Sequence, residues 1–250
     1  MPNPTVFITG ATSGIGRATA LLLGNAGFRI IAAGRRTERL EELKTLLPAG
    51  NVHTLEFDVR DKAAVKNAIE TLPETWKNID VLINNAGNAH GLSDIQNGNV
   101  DDWDLMIDIN VKGLLYVSRE IIPGMIANGG GRIINIGSIA GKEVYPNGNV
   151  YCASKFAVDA LSKAMRLDLL KEGIMVSEIN PGMVETEFSE VRFKGDKEKA
   201  AQTYKGMEPL RPEDIADVIH FTLTRPKHVN LADILILPAA QASTTLSIRK

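Results

Sequence analysis

Short apolar runs alternate along this chain with longer stretches in which apolar residues recur at helical spacing. The runs cover Thr5–Thr9, Arg29–Ala33, His53–Phe57, Val81–Asn84, Arg132–Ile136, Met175–Ile179 and Asp233–Leu237. They read as continuous apolar segments rather than as alternating ones, as expected of strands covered on both faces. The helical pattern occupies residues 14–26, 37–47, 61–71, 101–127, 149–172 and 212–224. Strand–helix alternation of this kind predicts an α/β fold: a doubly wound, seven-stranded parallel sheet with right-handed crossovers and helices on both sides. No Pro-, Gly- or Ser-rich linker divides the chain, so residues 1–250 read as a single domain.

One segment departs from this rhythm. From 185 to 207 the chain is charged and only weakly helical, and it follows the sixth predicted strand. Insertions at the carboxyl end of a parallel strand are where ligand lids belong, and 185–207 is read as one. Residues 239–250 are polar and aperiodic, a tail. The pattern over 149–172 is apolar around most of the helix, with Ala153, Phe156, Ala157, Ala160, Leu161, Ala164 and Met165, which predicts burial on more than one side.

Composition narrows the function classes. A hydrophobic fraction of 44% fits an ordinary packed core, and a net charge of −2 with a pI of about 6.1 argues against a nucleic-acid surface or a polybasic membrane anchor. One cysteine, Cys152, excludes an intramolecular disulfide and fits a reducing compartment. No secretion signal and no membrane-length apolar run is seen, so a cytoplasmic protein is expected, with neither nucleic acid nor membrane as partner. His53, His90, His220 and His228 are scattered without ligand spacing, and no metal site is predicted. His90 follows the Asn84 to Ala89 stretch and is read as a solvated loop residue or, alternatively, as a rim of the pocket, and Cys152 as packing.

The chemistry begins at Thr9-Gly10-Ala11-Thr12-Ser13-Gly14-Ile15-Gly16, between the first strand and the first helix. Glycines there permit a tight turn and let backbone N–H groups approach a pyrophosphate at the positive helix end. The spacing is Gly-x3-Gly-x-Gly rather than Gly-x-Gly-x2-Gly. After the second strand an NAD site normally places an acid about 20 residues past the glycines, to hold the ribose 2′-hydroxyl. Here Gly34 stands in that place, followed by Arg35 and Arg36. The missing carboxylate removes repulsion against a 2′-phosphate, and guanidiniums attract it, so the predicted cofactor is NADP(H).

Tyr151-Cys152-Ala153-Ser154-Lys155 carries the second signal. A Tyr and a Lys four apart share a helix face, and the ammonium is expected to favour the phenolate, lowering the tyrosine pKa toward a value useful for proton transfer. Ser138 lies thirteen residues upstream at the end of an apolar run.

Taken in order, these motifs resemble the short-chain dehydrogenase/reductase family over essentially the whole chain. The glycine loop is joined by Asp58-Val59, Asn84-Asn85-Ala86-Gly87, Asn110, the Ser138, Tyr151 and Lys155 set, and Pro181-Gly182 with Thr186. A narrower likeness, carried by Gly34-Arg35-Arg36, Asp102-Trp103, Val191 to Asp196 and the stretch from His228 to Gln241, is to bacterial NADP-dependent 3-hydroxy acid (serine or L-allo-threonine) dehydrogenases, also called malonic semialdehyde reductases.

The resemblance implies a Rossmann-type fold and hydride transfer between NADP(H) and a carbonyl carbon. It implies Tyr151 as acid or base, Lys155 as its modulator and a ligand of the nicotinamide ribose, Ser138 as the group holding the carbonyl oxygen, and Asn110 as the residue orienting a relay water. Gly10, Thr12, Ser13, Gly14, Ile15, Gly16, Arg35 and Arg36 would bind the phosphates. Asp58 and Val59 would meet the adenine, and Asn85, Ala86 and Gly87 would lie along the cofactor. Pro181, Gly182, Met183, Val184 and Thr186 would close over it. In the family, the helix over 149–172 and that over 101–127 are buried in a homotetramer, and the tail reaches a neighbouring subunit.

Substrate recognition is read from the residues: a 3-hydroxy acid carries a carboxylate, and Arg192 in the lid is the candidate cation, beside Ser138 and Tyr151 at the reacting centre, with Lys194 as the fallback; the alternative is a lid arginine that faces solvent or pairs with Glu187 or Glu190. Competing readings are a sulfoacetaldehyde or broad aldehyde/ketone reductase, and a non-catalytic NADP(H)-binding sensor. Against the sensor stands the complete set Asn110, Ser138, Tyr151 and Lys155.

Overall fold

A computed structural model describes residues 3–250. Its elements are, in order, β1 (Thr5–Thr9), α1 (Gly14–Asn25), β2 (Arg29–Gly34), α2 (Thr37–Leu46), β3 (Val52–Glu56), α3 (Lys62–Glu70), β4 (Val81–Asn84), α4 (Val100–Ile107), α5 (Leu114–Ala127), β5 (Gly131–Ile136), α6 (Asn149–Asp168), β6 (Ile174–Pro181), α7 (Phe188–Arg192), α8 (Lys197–Gln202), α9 (Pro212–Leu223) and β7 (Asp233–Ile236). The seven strands are all parallel, in the order β3-β2-β1-β4-β5-β6-β7. This is the predicted seven-stranded doubly wound sheet.

Alternation along each strand supplies two cores. Val6, Ile8, Ile30 and Ala32 face one side, against Leu23 of α1 and Ile215 and Ile219 of α9. Phe7, Ile31, Leu82 and Ile133 face the other, against Val117, Ile121 and Met125 of α5. Both faces of the central strands are therefore covered, which is why their sequences are continuously apolar. The strand order reverses between β1 and β4, and the crevice beyond their carboxyl ends is the place where such sheets take ligands.

The predicted helix over 101–127 is not continuous. A π turn, Asp108–Gly113, separates α4 from α5. Tertiary contacts account for it. Gly113 lies so near Val59 that a Cβ would sit 2.7 Å from Val59 Cγ2, and the Asn110 amide is bonded to Asn88 and Ser154. A single widened turn leaves the apolar period almost intact, so the pattern does not report it.

The helix predicted over 149–172 ends at Asp168 and passes through a 3-10 turn, Leu170–Glu172, to Gly173 at φ 70°. Its inner face is buried on the sheet, but in the single chain Ala153, Phe156, Ala160 and Ala164 are exposed. The tail folds back on its own chain. The Arg249 guanidinium donates to the carbonyls of Gln202, Thr203 and Lys205 at the end of α8, and the Lys250 N–H donates to Gly206. No helix among the described residues is long and apolar enough to cross a membrane.

Candidate active site

A cleft of about 750 Å³ opens beyond the carboxyl ends of the central strands. Of the predicted site residues, all but Gly16 and Asn110 line it.

At its cofactor end, Gly10 (φ 67°) and Gly14 (φ 50°) adopt the left-handed conformation that glycine takes without strain. A Cβ on Gly16 would lie 2.4 Å from both the Gly10 carbonyl and Asn85 Nδ2, so Gly16 acts from behind the loop, by letting α1 approach. Asn85 fastens the loop from the next strand: its Nδ2 donates to the carbonyls of Thr9 (2.9 Å) and Gly10 (3.2 Å). Thr9 Oγ1 in turn accepts the N–H groups of Asn85 and Ala86. The first turn of α1 carries no acidic residue and its Ser13 makes no side-chain cap, leaving free N–H groups at the positive helix end. The tight cradle and this donor set fit a dinucleotide pyrophosphate.

Arg35 and Arg36 both line the cleft, with different partners. Arg36 Nε and Nη2 lie 3.2 and 3.1 Å from Thr12 Oγ1. Beside it stands Arg39, in the first turn of α2, whose Nη1 lies 3.4 Å from the Thr12 carbonyl. Glu187 of the lid spans the two, 2.9 Å from Arg36 Nη1 and 2.5 Å from Arg39 Nη1. Arg35 instead turns toward Asp58, 3.6 Å away. Arg39 and Glu187 were missed by sequence reasoning. The i, i+3 spacing of Arg36 and Arg39 was the available signal for the first; nothing local marks the second. An arginine pair with a threonine hydroxyl fits a 2′-phosphate.

At the other end, α6 presents Tyr151 and Lys155 into the cleft, and β5 delivers Ser138 to the same place. Lys155 Nζ donates to the Ile136 carbonyl at 2.9 Å. Burial lowers the Lys155 ammonium to a pKa of about 8, against the opposing charge of Glu178. Tyr151 is corrected by the structure: burial pushes its hydroxyl above the ordinary phenol range, reinforced by Tyr145 and only partly offset by a Ser138 hydrogen bond and the Arg192 charge. The predicted downward shift is absent because desolvation of a side chain only 9% exposed outweighs the neighbouring charges. Asn110 also differs in detail. Its Nδ2 donates to the Asn88 carbonyl (2.8 Å) and Ser154 Oγ (2.9 Å), and its Oδ1 accepts the Asn88 N–H (2.8 Å). The amide is engaged at both ends, and its Oδ1 lies with Lys155 Nζ beside Gly87.

Behind Ser138 lies a polar network that the sequence did not announce. The Ser138 N–H donates to Asn180 Oδ1 (3.0 Å), Asn180 Nδ2 donates to Asp233 Oδ1 (2.9 Å), and Lys142 Nζ meets Asp233, Asp159 and Glu178 at 2.6, 2.5 and 3.2 Å. Burial alone would lower the Lys142 pKa, but the hydrogen bonds its ammonium donates to Asp159 and Asp233 and the Glu178 charge hold it well above the lysine range. Burial pushes Glu178 up, against the pull of Lys142. The three carboxylates lie close enough to hold a cation, and the Lys142 ammonium is that cation. Lys142→Met leaves Asp159 with Lys163 at 2.7 Å but strips Glu178 and Asp233 of their cation, and urea unfolding at pH 7 should show a loss of about 3 kcal/mol, the lower end of the range for breaking a buried pair. The difference should shrink toward pH 4, as the carboxylates take up protons. An unchanged midpoint would show that the cage contributes nothing.

Arg192 lines the cleft beside Tyr151. It pairs with neither Glu187 nor Glu190. Its Nη2 lies 2.5 Å from Tyr145 Oη, its Nε 3.4 Å from the Gly91 carbonyl, and its guanidinium carbon 5.4 Å from the centre of the Tyr151 ring. Tyr145 was not singled out beforehand. Lys194, the fallback cation, is bound to Asp102 (2.9 Å) and does not line the cleft. Of the two readings of His90 the rim holds: it is half-buried, lines the cleft and shares a 2.8 Å contact with Asn88 Nδ2. Cys152 is buried in packing, as predicted.

Residues 4–197 match the family model described as short chain dehydrogenase. A Salmonella typhi protein named NADP-dependent 3-hydroxy acid dehydrogenase YdfG is 46% identical over 98% of this chain and 99% of its own length. A Schizosaccharomyces pombe protein named NADP-dependent 3-hydroxy acid dehydrogenase is 44% identical over 100% of this chain and 98% of its own. Among solved structures, the closed form of serine dehydrogenase complexed with NADP+ superposes with a TM-score of 0.94 at 43% identity, covering 98% of this chain and 99% of that one.

Proposed function

The chain belongs to the short chain dehydrogenase family, and from that premise we propose an NADP-dependent oxidoreductase that acts on short 3-hydroxy acids, of the serine, L-allo-threonine and 3-hydroxypropionate class, or on the corresponding carbonyl compounds. The observation that carries this reading is the cleft itself: a two-arginine anion clamp at one end, and Ser138, Tyr151 and Lys155 with a lid arginine at the other.

Bound NADP(H) supplies or accepts the hydride at its nicotinamide. Everything else falls to the chain. Tyr151 holds the proton at its hydroxyl oxygen, giving it to the carbonyl oxygen in reduction and removing it from the alcohol in oxidation. Its raised pKa keeps the acid form loaded at neutral pH. Lys155, titrating near 8, is still cationic there but close to releasing its proton, and so relays between Tyr151 and the side of the cleft held by Asn110. Ser138 holds the substrate oxygen. Pro181 to Val184 and Thr186 cover the cofactor, residues 185–207 act as the lid, and the tail holds that lid from behind. We further read a homotetramer joined through the exposed apolar face of α6, and, from the lone buried Cys152, residence in the cytoplasm.

Arg192 binds the substrate carboxylate. Its fork is oriented by Tyr145 and Gly91 and stands over the Tyr151 ring. Arg192→Ala should lower kcat/KM for L-serine or 3-hydroxypropionate by roughly ten- to a hundredfold, the loss of one charged hydrogen-bonding group. Reduction of an uncharged ketone should hardly change. The ratio of the two cancels general damage to the lid; equal losses would reduce Arg192 to a shaping residue. A wild-type enzyme that reduces only uncharged ketones, and neither the hydroxy acids nor sulfoacetaldehyde, would overturn the substrate reading in favour of a general carbonyl reductase.

A further inference from the structure

The lid and the 2′-phosphate clamp are joined by one residue. Glu187 stands at the start of α7, directly after Thr186, and its two carboxylate oxygens are divided between Arg36 and Arg39, from 151 and 148 positions away. These are the same two guanidiniums that, with Thr12, form the anion clamp at the end of β2. We propose that Glu187 is a built-in surrogate for the cofactor's 2′-phosphate, a latch that fastens the lid to α2 and that NADP(H) must displace.

The argument is one of shared donors. Arg36 Nη1 and Arg39 Nη1 are both committed to Glu187, while Arg36 Nε and Nη2 rest on Thr12. An incoming phosphate that takes the Nη1 groups leaves Glu187 facing a like charge. A phosphate monoester carries close to two negative charges and three acceptor oxygens, a carboxylate one charge and two oxygens, so the phosphate wins the exchange. The Arg36 and Arg39 contacts hold the Glu187 carboxyl below the ordinary carboxylate range despite its partial burial, so the competitor is anionic throughout the neutral range.

Glu187 also lies on the chain that carries Arg192, five residues further along and across the single short helix α7. Release of the latch is thereby transmitted to the substrate arginine. A dinucleotide without the 2′-phosphate has nothing to put in place of Glu187 and leaves the latch made. The site thus discriminates against NAD(H) twice: once in binding and once in the freedom of the lid.

The proposal rests on the NADP(H) reading, and calorimetric titration with 2′,5′-ADP and 5′-AMP separates the two. Wild type should prefer 2′,5′-ADP. Glu187→Gln should bind 2′,5′-ADP about three- to thirtyfold tighter than wild type, the competition of two half-exposed ion pairs being removed, with 5′-AMP unchanged. Hydrogen exchange over residues 185–192 should speed up in the free variant, and in wild type on adding 2′,5′-ADP but not 5′-AMP. If wild type prefers 2′,5′-ADP but Glu187→Gln binds it equally or more weakly, Glu187 orients the arginines for the phosphate instead, and the latch is wrong while the cofactor reading stands. If wild type shows no preference between the two nucleotides, the cofactor reading fails and takes the latch with it.

Discussion

Tyr151→Phe should lower kcat by two to four decades, in line with the usual contribution of a positioned general acid–base of about 10²- to 10⁴-fold. The substitution keeps the ring, which packs edge-on against Phe188 with centroids 5.6 Å apart, and deletes only the hydroxyl. Fluorescence titration with NADPH should therefore give an affinity close to that of wild type, separating lost proton transfer from lost binding. Because burial raises the Tyr151 pKa, reduction should lose little rate as pH rises toward neutrality, and oxidation should gain rate as pH passes through about 8, where Lys155 begins to release its proton. Turnover by the Phe variant near the wild-type rate would remove Tyr151 from the proton path.

The second large effect concerns the cofactor. Arg36→Ala/Arg39→Ala should lower kcat/KM for NADPH by about 10²-fold or more, from the loss of two charge-assisted contacts each worth about 1.5–3 kcal/mol. NADH, which offers the clamp no phosphate, should lose nothing, and should gain efficiency to the extent that freeing Glu187 releases the lid. Arg35→Ala should have a smaller effect, because Arg35 is engaged with Asp58 and does not reach Thr12. Wild-type efficiencies that are equal for the two cofactors would show that the clamp selects nothing.

These two experiments also divide what was legible in the chain from what was not. Tyr151, Lys155 and Ser138 could be named because a helix places residues four apart on one face and because a strand end aims its last residues at the cleft. The glycine loop was legible for a similar reason: Gly10 and Gly14 need a left-handed backbone, which only a few residue types tolerate. Arg36 was legible as a charge that follows Gly34, the residue standing where an acid is expected. Arg39 was not legible, since its approach to Thr12 depends on how the first turn of α2 packs against the glycine loop.

The sequence by itself determined the seven strands, the helices between them and the residue types at both ends of the cleft. Each of these follows from local periodicity or from a backbone conformation that few residues allow. Only the tertiary structure decided the order β3-β2-β1-β4-β5-β6-β7, the π turn at Asp108–Gly113, the upward shift of Tyr151, the cage around Lys142, the hold of Tyr145 on Arg192, and the meeting of Glu187 with Arg36 and Arg39. All of these are set by groups far apart in the chain, 151 positions for Arg36 and Glu187. A repeat of apolar positions states which face of an element is covered; it carries no record of what covers it, and desolvation and ion pairing depend on that.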